Sequence, residues 1–273
     1  MTASVAPGPA AYPTRWRPPP FLFRTRAQQR LVIAGFVLYF LWSGFDVNVD
    51  YQRMLAGFPR ALDILVRMFP PDFSRWQLLL TGMTESLQMA AAATLLGALL
   101  SIPLGVAASR NLSPKPIYVA ARGFIALSRS FHEVIIAIFF VKLFGFGPVA
   151  GLLTLMLGSA TFLGKMLAED IENIKFGPVE ALRATGAGFG QVVFCAVTPQ
   201  VLARTLGVNI YRLDANIRHS TVIGIVGAGG IGQTLSASFS RYDYDFSLAI
   251  LLCIGALVAF GEWFSDWVRG RLR

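Results

Sequence analysis

The sequence predicts an all-α integral membrane protein of about six transmembrane helices. Three observations carry this reading. Of 273 residues, 55% are hydrophobic and only 14% are charged, whereas soluble domains carry roughly 25% charged residues. The apolar residues gather into runs long enough to cross a bilayer. The basic residues, which set a net charge of +9, mostly flank those runs, where membrane topology needs them. Placed there, the surplus marks orientation and not a face for nucleic acid. Cys195 and Cys253 lie in different segments with no metal or redox spacing and read as structural.

Residues 1–30 hold Pro7, Pro9, Pro13, Pro18, Pro19 and Pro20 among Arg15, Arg17, Arg24, Arg26 and Arg30. They read as a basic, proline-rich cytoplasmic tail. Residues 31–80 form the next unit. Leu31 to Phe45 is a first span, and no small-residue cleavage site follows it, so it reads as a retained anchor and not a signal peptide. Beyond it Leu55, Phe58, Leu62, Leu65, Val66 and Phe69 recur at helical spacing between Arg53, Arg60, Asp63 and Arg67. That pattern predicts an amphipathic helix on membrane lipid at the extracytoplasmic surface.

Residues 81–273 are the core domain. A span from about Thr84 to Ser109 is rich in alanine, glycine and threonine, which favours close helix packing in lipid, with Pro103 expected to kink it. A third, from about Ile117 to Phe144, carries Arg122, Arg129, His132, Glu133 and Lys142. Gly145-Phe146-Gly147-Pro148 reads as a tight turn into a fourth span, about Val149 to Ala168. A charged loop, residues 169–199, leads to a fifth span that begins near Pro199 and runs into Gly227-Ala228-Gly229-Gly230-Ile231-Gly232. The last covers about Phe246 to Val268, ahead of Arg269, Arg271 and Arg273. With alternating spans, the basic tail, the Arg110/Lys115 loop, the 169–199 loop and the arginine C-terminus share one side. The excess of positive charge makes that side the cytoplasm, with both termini on it.

Within the loop, Gly177 and Pro178 read as a helix start, with Glu180 in the first turn and Gly186 as the residue that ends it. Thr198-Pro199 repeats the start signal, Thr198 as cap and Pro199 as first residue. Two short helices joined at a glycine hinge are therefore expected.

The glycines Gly227, Gly229 and Gly232 satisfy a G-x-G-x-x-G spacing, but the dinucleotide fingerprint needs a βαβ unit that long apolar helices do not supply. Gly227, Gly229, Gly230 and Gly232 are better read as a helix break with close backbone packing. Two histidines without HExxH, GxSxG or paired intramembrane aspartates argue against an enzyme and against a metal site. Charges within spans usually face a bundle interior or watery cavity. Arg129, His132, Arg204, Arg212 and Arg218 are thus candidates to line the path of an anion. The competing reading is internal pairing with Glu133 and Asp214, or snorkelling to the headgroups.

Glu180-Ala181-Leu182, then Gly186 and Pro199, resembles the EAA loop of ABC importer permeases, with Leu182, Ala196 and Thr198 replacing that pattern's alanine, isoleucine and leucine. The stretches Asp214 to Arg218, Ser220 to Gly224 and Val226 to Gly232 resemble the phosphonate/phosphite type, as do Gly145-Phe146-Gly147-Pro148 and Phe162-Leu163-Gly164-Lys165. His132 stands where relatives often carry proline. The resemblance covers about residues 80–270. It implies a MetI-like, type I importer permease for phosphonate, phosphate or phosphite, pairing as a homodimer with two cytoplasmic ATPases and an extracytoplasmic binding protein. ATP and Mg would be bound by the ATPases, so this chain would hold no cofactor. Glu180, Ala181, Leu182, Gly186 and Pro199 would couple it to them. A permease for methionine or a quaternary amine is the alternative within transport. A secondary transporter would show repeated halves, which the sequence lacks.

Overall fold

The computed structural model describes residues 26–46 and 50–271, so the expected tail lies outside it up to residue 25, as does Arg273. All described secondary structure is helical. The chain divides into two units, residues 1–61 and 62–273. The first holds α1 (Arg26–Asp46) and most of α2 (Tyr51–Arg67), the expected amphipathic helix with Pro59 inside it.

The second unit is built on α3 (Trp76–Ala107), α6 (Pro148–Glu172), α9 (Thr198–Gly224) and α11 (Tyr244–Arg271). These include the four stretches long and apolar enough to cross a membrane, α9 being counted from Phe189. A fifth is the pair α4 (Lys115–Ser130) and α5 (Glu133–Phe144), if that broken pair is taken as one span. The sixth expected span rests on α1. Its first turn carries Arg26, Gln28, Gln29 and Arg30, and it falls outside the apolar set.

Small residues set the packing. α3 and α6 run side by side in the same direction, with Met89 beside Gly151, Gly97 beside Ser159 and Gly105 beside Leu167. A Cβ on Gly97 would stand 2.4 Å from that of Ser159. The backbones therefore meet at a distance only glycine permits. α9 runs the opposite way between them, with Asn216 level with Thr94 and Ser159.

Three local expectations need correction. The third span is not continuous: it bends by 92° between α4 and α5. Phe131 and His132 take extended backbone angles there, and the His132 ring caps the new helix by accepting the Val134 N–H. An apolar run with an N-cap inside it reads as one helix by hydropathy and as two by hydrogen bonding.

Thr198 is not a cap. α8 (Phe189–Val192), a π-turn (Val193–Val197) and α9 form one uninterrupted helical run. The wider turn lets the Thr198 N–H and hydroxyl both reach the Val193 carbonyl, which accommodates Pro199 without a break.

The third concerns the glycine run, expected as a helix break: Gly230 and Gly232 lie in the first turn of a further short helix, α10 (Gly230–Ser240). It packs against α9 so tightly that a Cβ on Gly232 would lie 1.9 Å from the Thr221 carbonyl oxygen and 3.0 Å from the Gly224 Cα. Both are backbone atoms and cannot swing aside. Gly232→Ala should cost about 1–3 kcal/mol and lower the melting temperature of the detergent-purified protein. Gly255→Ala, which meets nothing within 4 Å, should leave it unchanged.

Candidate functional site

Arg212 is buried halfway along α9, at 6% exposure. A guanidinium at that depth needs a counter-charge. Its Nη2 meets Glu133 Oε1 at 2.8 Å, and its Nε–H donates to Ser159 Oγ at 3.0 Å. The other carboxylate oxygen, Glu133 Oε2, lies against His219 Nδ1. Asn216, one turn along α9 and fully buried, donates from Nδ2 to Ser159 Oγ and Thr94 Oγ1, each at 2.8 Å. A single polar network thus ties α3, α5, α6 and α9 together. Gly158 makes room for it: a Cβ there would lie 2.9 Å from both Arg212 Nη2 and Glu133 Oε1.

Beside the network opens a cavity of about 670 Å³ at the α4–α5 break. Of the sequence candidates, Arg129, His132 and Arg212 line it, with Glu133 and His219. Arg129 and Arg212 lie over the same Phe162 ring, 5.5 and 5.4 Å from its centre. Arg204 and Arg218 do not belong to this lining. Arg204 pairs at 3.0 Å with Asp170 near the end of α6. Arg218 joins Asp214 on its own helix to Glu262 of α11, the latter at 3.0 Å.

The loop that follows α6 carries α7 (Gly177–Ala184). Val179 is fully buried and Leu182 half-buried against an apolar cluster with Ile171, Val192 and Val197. The opposite face, Glu180, Ala181, Arg183 and Ala184, is exposed. Gly186 follows with φ of +80°, the left-handed region that glycine enters without strain. Pro199 is exposed on the far arm of the loop.

Gln200 closes the loop's base. It accepts the Lys175 N–H at 2.9 Å and donates to the Lys175 carbonyl at 3.3 Å and the Ala196 carbonyl at 2.8 Å. Nothing in the sequence singled it out, because its partner is a backbone group 25 residues away.

The glycine run lies between α9 and α10. Gly227, Gly229 and Gly230 have positive φ, and the Gly227 carbonyl accepts the Gly147 N–H at 3.0 Å. Two groups on α3 cap α10: Glu85 Oε2 accepts the Gly230 N–H and Ser86 Oγ the Ile231 N–H, at 2.8 and 2.9 Å. A carboxylate at a helix N-terminus is favoured by the peptide dipoles. Among the described residues no group of three or more His, Cys, Asp or Glu side chains is arranged to hold a metal ion.

A bundle of apolar helices around a polar, charged cavity, with an amphipathic helix displayed on a loop at one end, defines a membrane transport component. The chain belongs to the family of binding-protein-dependent transport system inner membrane components, which it matches over residues 101–273. It is 41% identical over 214 residues to the phosphate-import permease protein PhnE of Mycolicibacterium smegmatis, covering 78% of this chain and 40% of that one. It is 38% identical over 242 residues to the phosphite transport system permease protein PtxC of Stutzerimonas stutzeri, covering 88% of this chain and 87% of that one. It therefore spans less than half of the mycobacterial relative's length and most of the other's. Among solved structures it is similar to inward facing conformations of the MetNI methionine ABC transporter, with a TM-score of 0.63 and 23% identity over 74% of this chain and 99% of that one. The fold is that of the MetI-like ABC importer permeases.

Glu133→Ala strands the Arg212 guanidinium in the bundle and should destabilise the fold by about 3–5 kcal/mol. Glu133→Ala combined with Arg212→Leu should recover most of that loss. Thermal unfolding in detergent of both single variants and the double variant reads the coupling.

Proposed function

We propose that this chain is the transmembrane subunit of an ATP-driven importer for an oxyanion of phosphorus: phosphonate, phosphate or phosphite. The relatives named above carry phosphate and phosphite in their names. The observation that supports an anion most directly is the cavity lined by Arg129, Arg212, His132 and His219 with Glu133 as its one carboxylate. In this reading Arg129, His132 and Arg212 line the path, while Arg204 and Arg218 stabilise the bundle through their ion pairs.

The working assembly is two copies of this chain, two cytoplasmic ATPases that bind ATP and Mg, and an extracytoplasmic binding protein. The exposed face of α7, with Glu180 and Ala181, docks on the ATPase. Leu182 anchors the helix from behind, Gly186 turns the chain back, and Pro199 begins the return arm. The Gln200–Lys175 clamp and the continuous run from Phe189 to Gly224 give α7 a stiff connection to Arg212. Movement of the coupling helix then reaches the cavity as rotation of α9, the rigid-body rocking of alternating access. Docking on the ATPase would put the 169–199 loop on the cytoplasmic side of a bacterial inner membrane, and six alternating spans would put both termini there too.

Cells that rely on the complete transporter should take up labelled phosphite, phosphate or methylphosphonate. Uptake of methionine with none of the three would overturn the substrate class. Glu180→Lys reverses the charge on the docking face, and Gly186→Pro forbids its positive φ. Each should lower uptake about fivefold or more while the purified complex still hydrolyses ATP. Full uptake in both variants would remove the coupling role.

A further inference from the structure

Charge is not balanced in the cavity at the α4–α5 break. Glu133 is its one carboxylate, and both oxygens are engaged, Oε1 by Arg212 and Oε2 by His219. Arg212 is further committed to Ser159. Arg129 has no carboxylate partner among the described residues. Its guanidinium lies over the Phe162 ring, on the same aromatic wall as Arg212. Arg129 is exposed at the cavity lining, so its guanidinium brings five N–H donors to the edge of an open volume.

His132 adds a directed donor. Its Nδ1 accepts the Val134 N–H at 3.3 Å, so the neutral ring carries its proton on Nε2. The ring is exposed in the cavity lining.

We propose that the cavity is a binding site for a tetrahedral oxyanion of phosphorus within the permease itself, with Arg129 and His132 Nε2–H as its direct donors. Glu133, on α5, acts as a positioning residue by engaging Arg212 and His219 of α9, with Arg212 also held by Ser159 of α6. The proposal rests on the substrate class given above and adds a site to it. A cation entering here meets an unpaired guanidinium. A neutral apolar solute leaves those five donors unpaired. An oxyanion presents acceptors at the bidentate spacing a guanidinium matches. The volume of about 670 Å³ lies in the range of small-ligand sites and exceeds a bare oxyanion, which leaves space for water or an organic substituent.

The test uses the permease–ATPase complex in lipid nanodiscs without the binding protein, titrated calorimetrically with phosphite, inorganic phosphate and methylphosphonate. Saturable binding of at least one is expected, weakened about tenfold or more in Arg129→Ala, the worth of a charge-assisted hydrogen bond. His132→Ala should weaken it by a smaller factor. Recovery of each variant complex in wild-type amounts by size exclusion separates loss of the site from loss of the fold. Absence of saturable binding to the wild-type complex, or equal binding by Arg129→Ala, overturns the site. Cellular uptake by the wild type is read in parallel, so a missing site in a transporter that still imports these anions is distinguishable from a wrong substrate class.

Discussion

The burial of Arg212 constrains more of this structure than any other single group. A guanidinium at 6% exposure in an apolar bundle is tolerated only with its charge met and its donors used. Glu133 meets the charge, and Ser159 takes a further donor. Ser159 in turn accepts from Asn216, which also holds Thr94. Four helices are thereby fixed at one depth. The requirement reaches backward into the sequence as well. Gly158 must be small for the pair to lie against α6, and Gly97 must be small for α3 to come up beside Ser159.

The same pair explains why the third apolar run breaks. To bring Glu133 to Arg212, the chain turns by 92° between α4 and α5. His132 supplies the cap that the new helix needs. The break frees backbone that lipid would not tolerate, and Ser130, Phe131 and His132 open onto the cavity instead. Structure and function meet here: Glu133, which meets the charge of the buried arginine, also lines the volume through which an anion is proposed to pass.

A second constraint operates at the loop end. α7 buries Val179 and Leu182 and leaves Glu180 and Ala181 outward, so its orientation follows from ordinary amphipathic packing. The π-turn and the Gln200 clamp join the base of the loop to α9. α9 also carries Arg212 and His219, so one helix connects the displayed surface to the cavity.

What the sequence determined by itself was the class, because depletion of charge, apolar run length and arginine placement are one-dimensional properties. It also determined α7, whose signals at Gly177, Pro178, Glu180 and Gly186 all lie within one short segment. The glycine run was legible as something other than a nucleotide site for the same reason, since its flanks are apolar helices. Only the tertiary structure decided which basic residues share a cavity. Arg129, Arg212 and His132 meet there, while Arg204 and Arg218 are taken by Asp170, Asp214 and Glu262. Hydropathy likewise could not divide α4 from α5 or carry α8 through Pro199 into α9. Those outcomes turn on a histidine ring that accepts a backbone N–H and a threonine hydroxyl that donates to a carbonyl, and on where a buried charge finds its partner 79 residues away. Periodicity reports which face of a helix is apolar. It does not report which other helix that face, or the charge upon it, will meet.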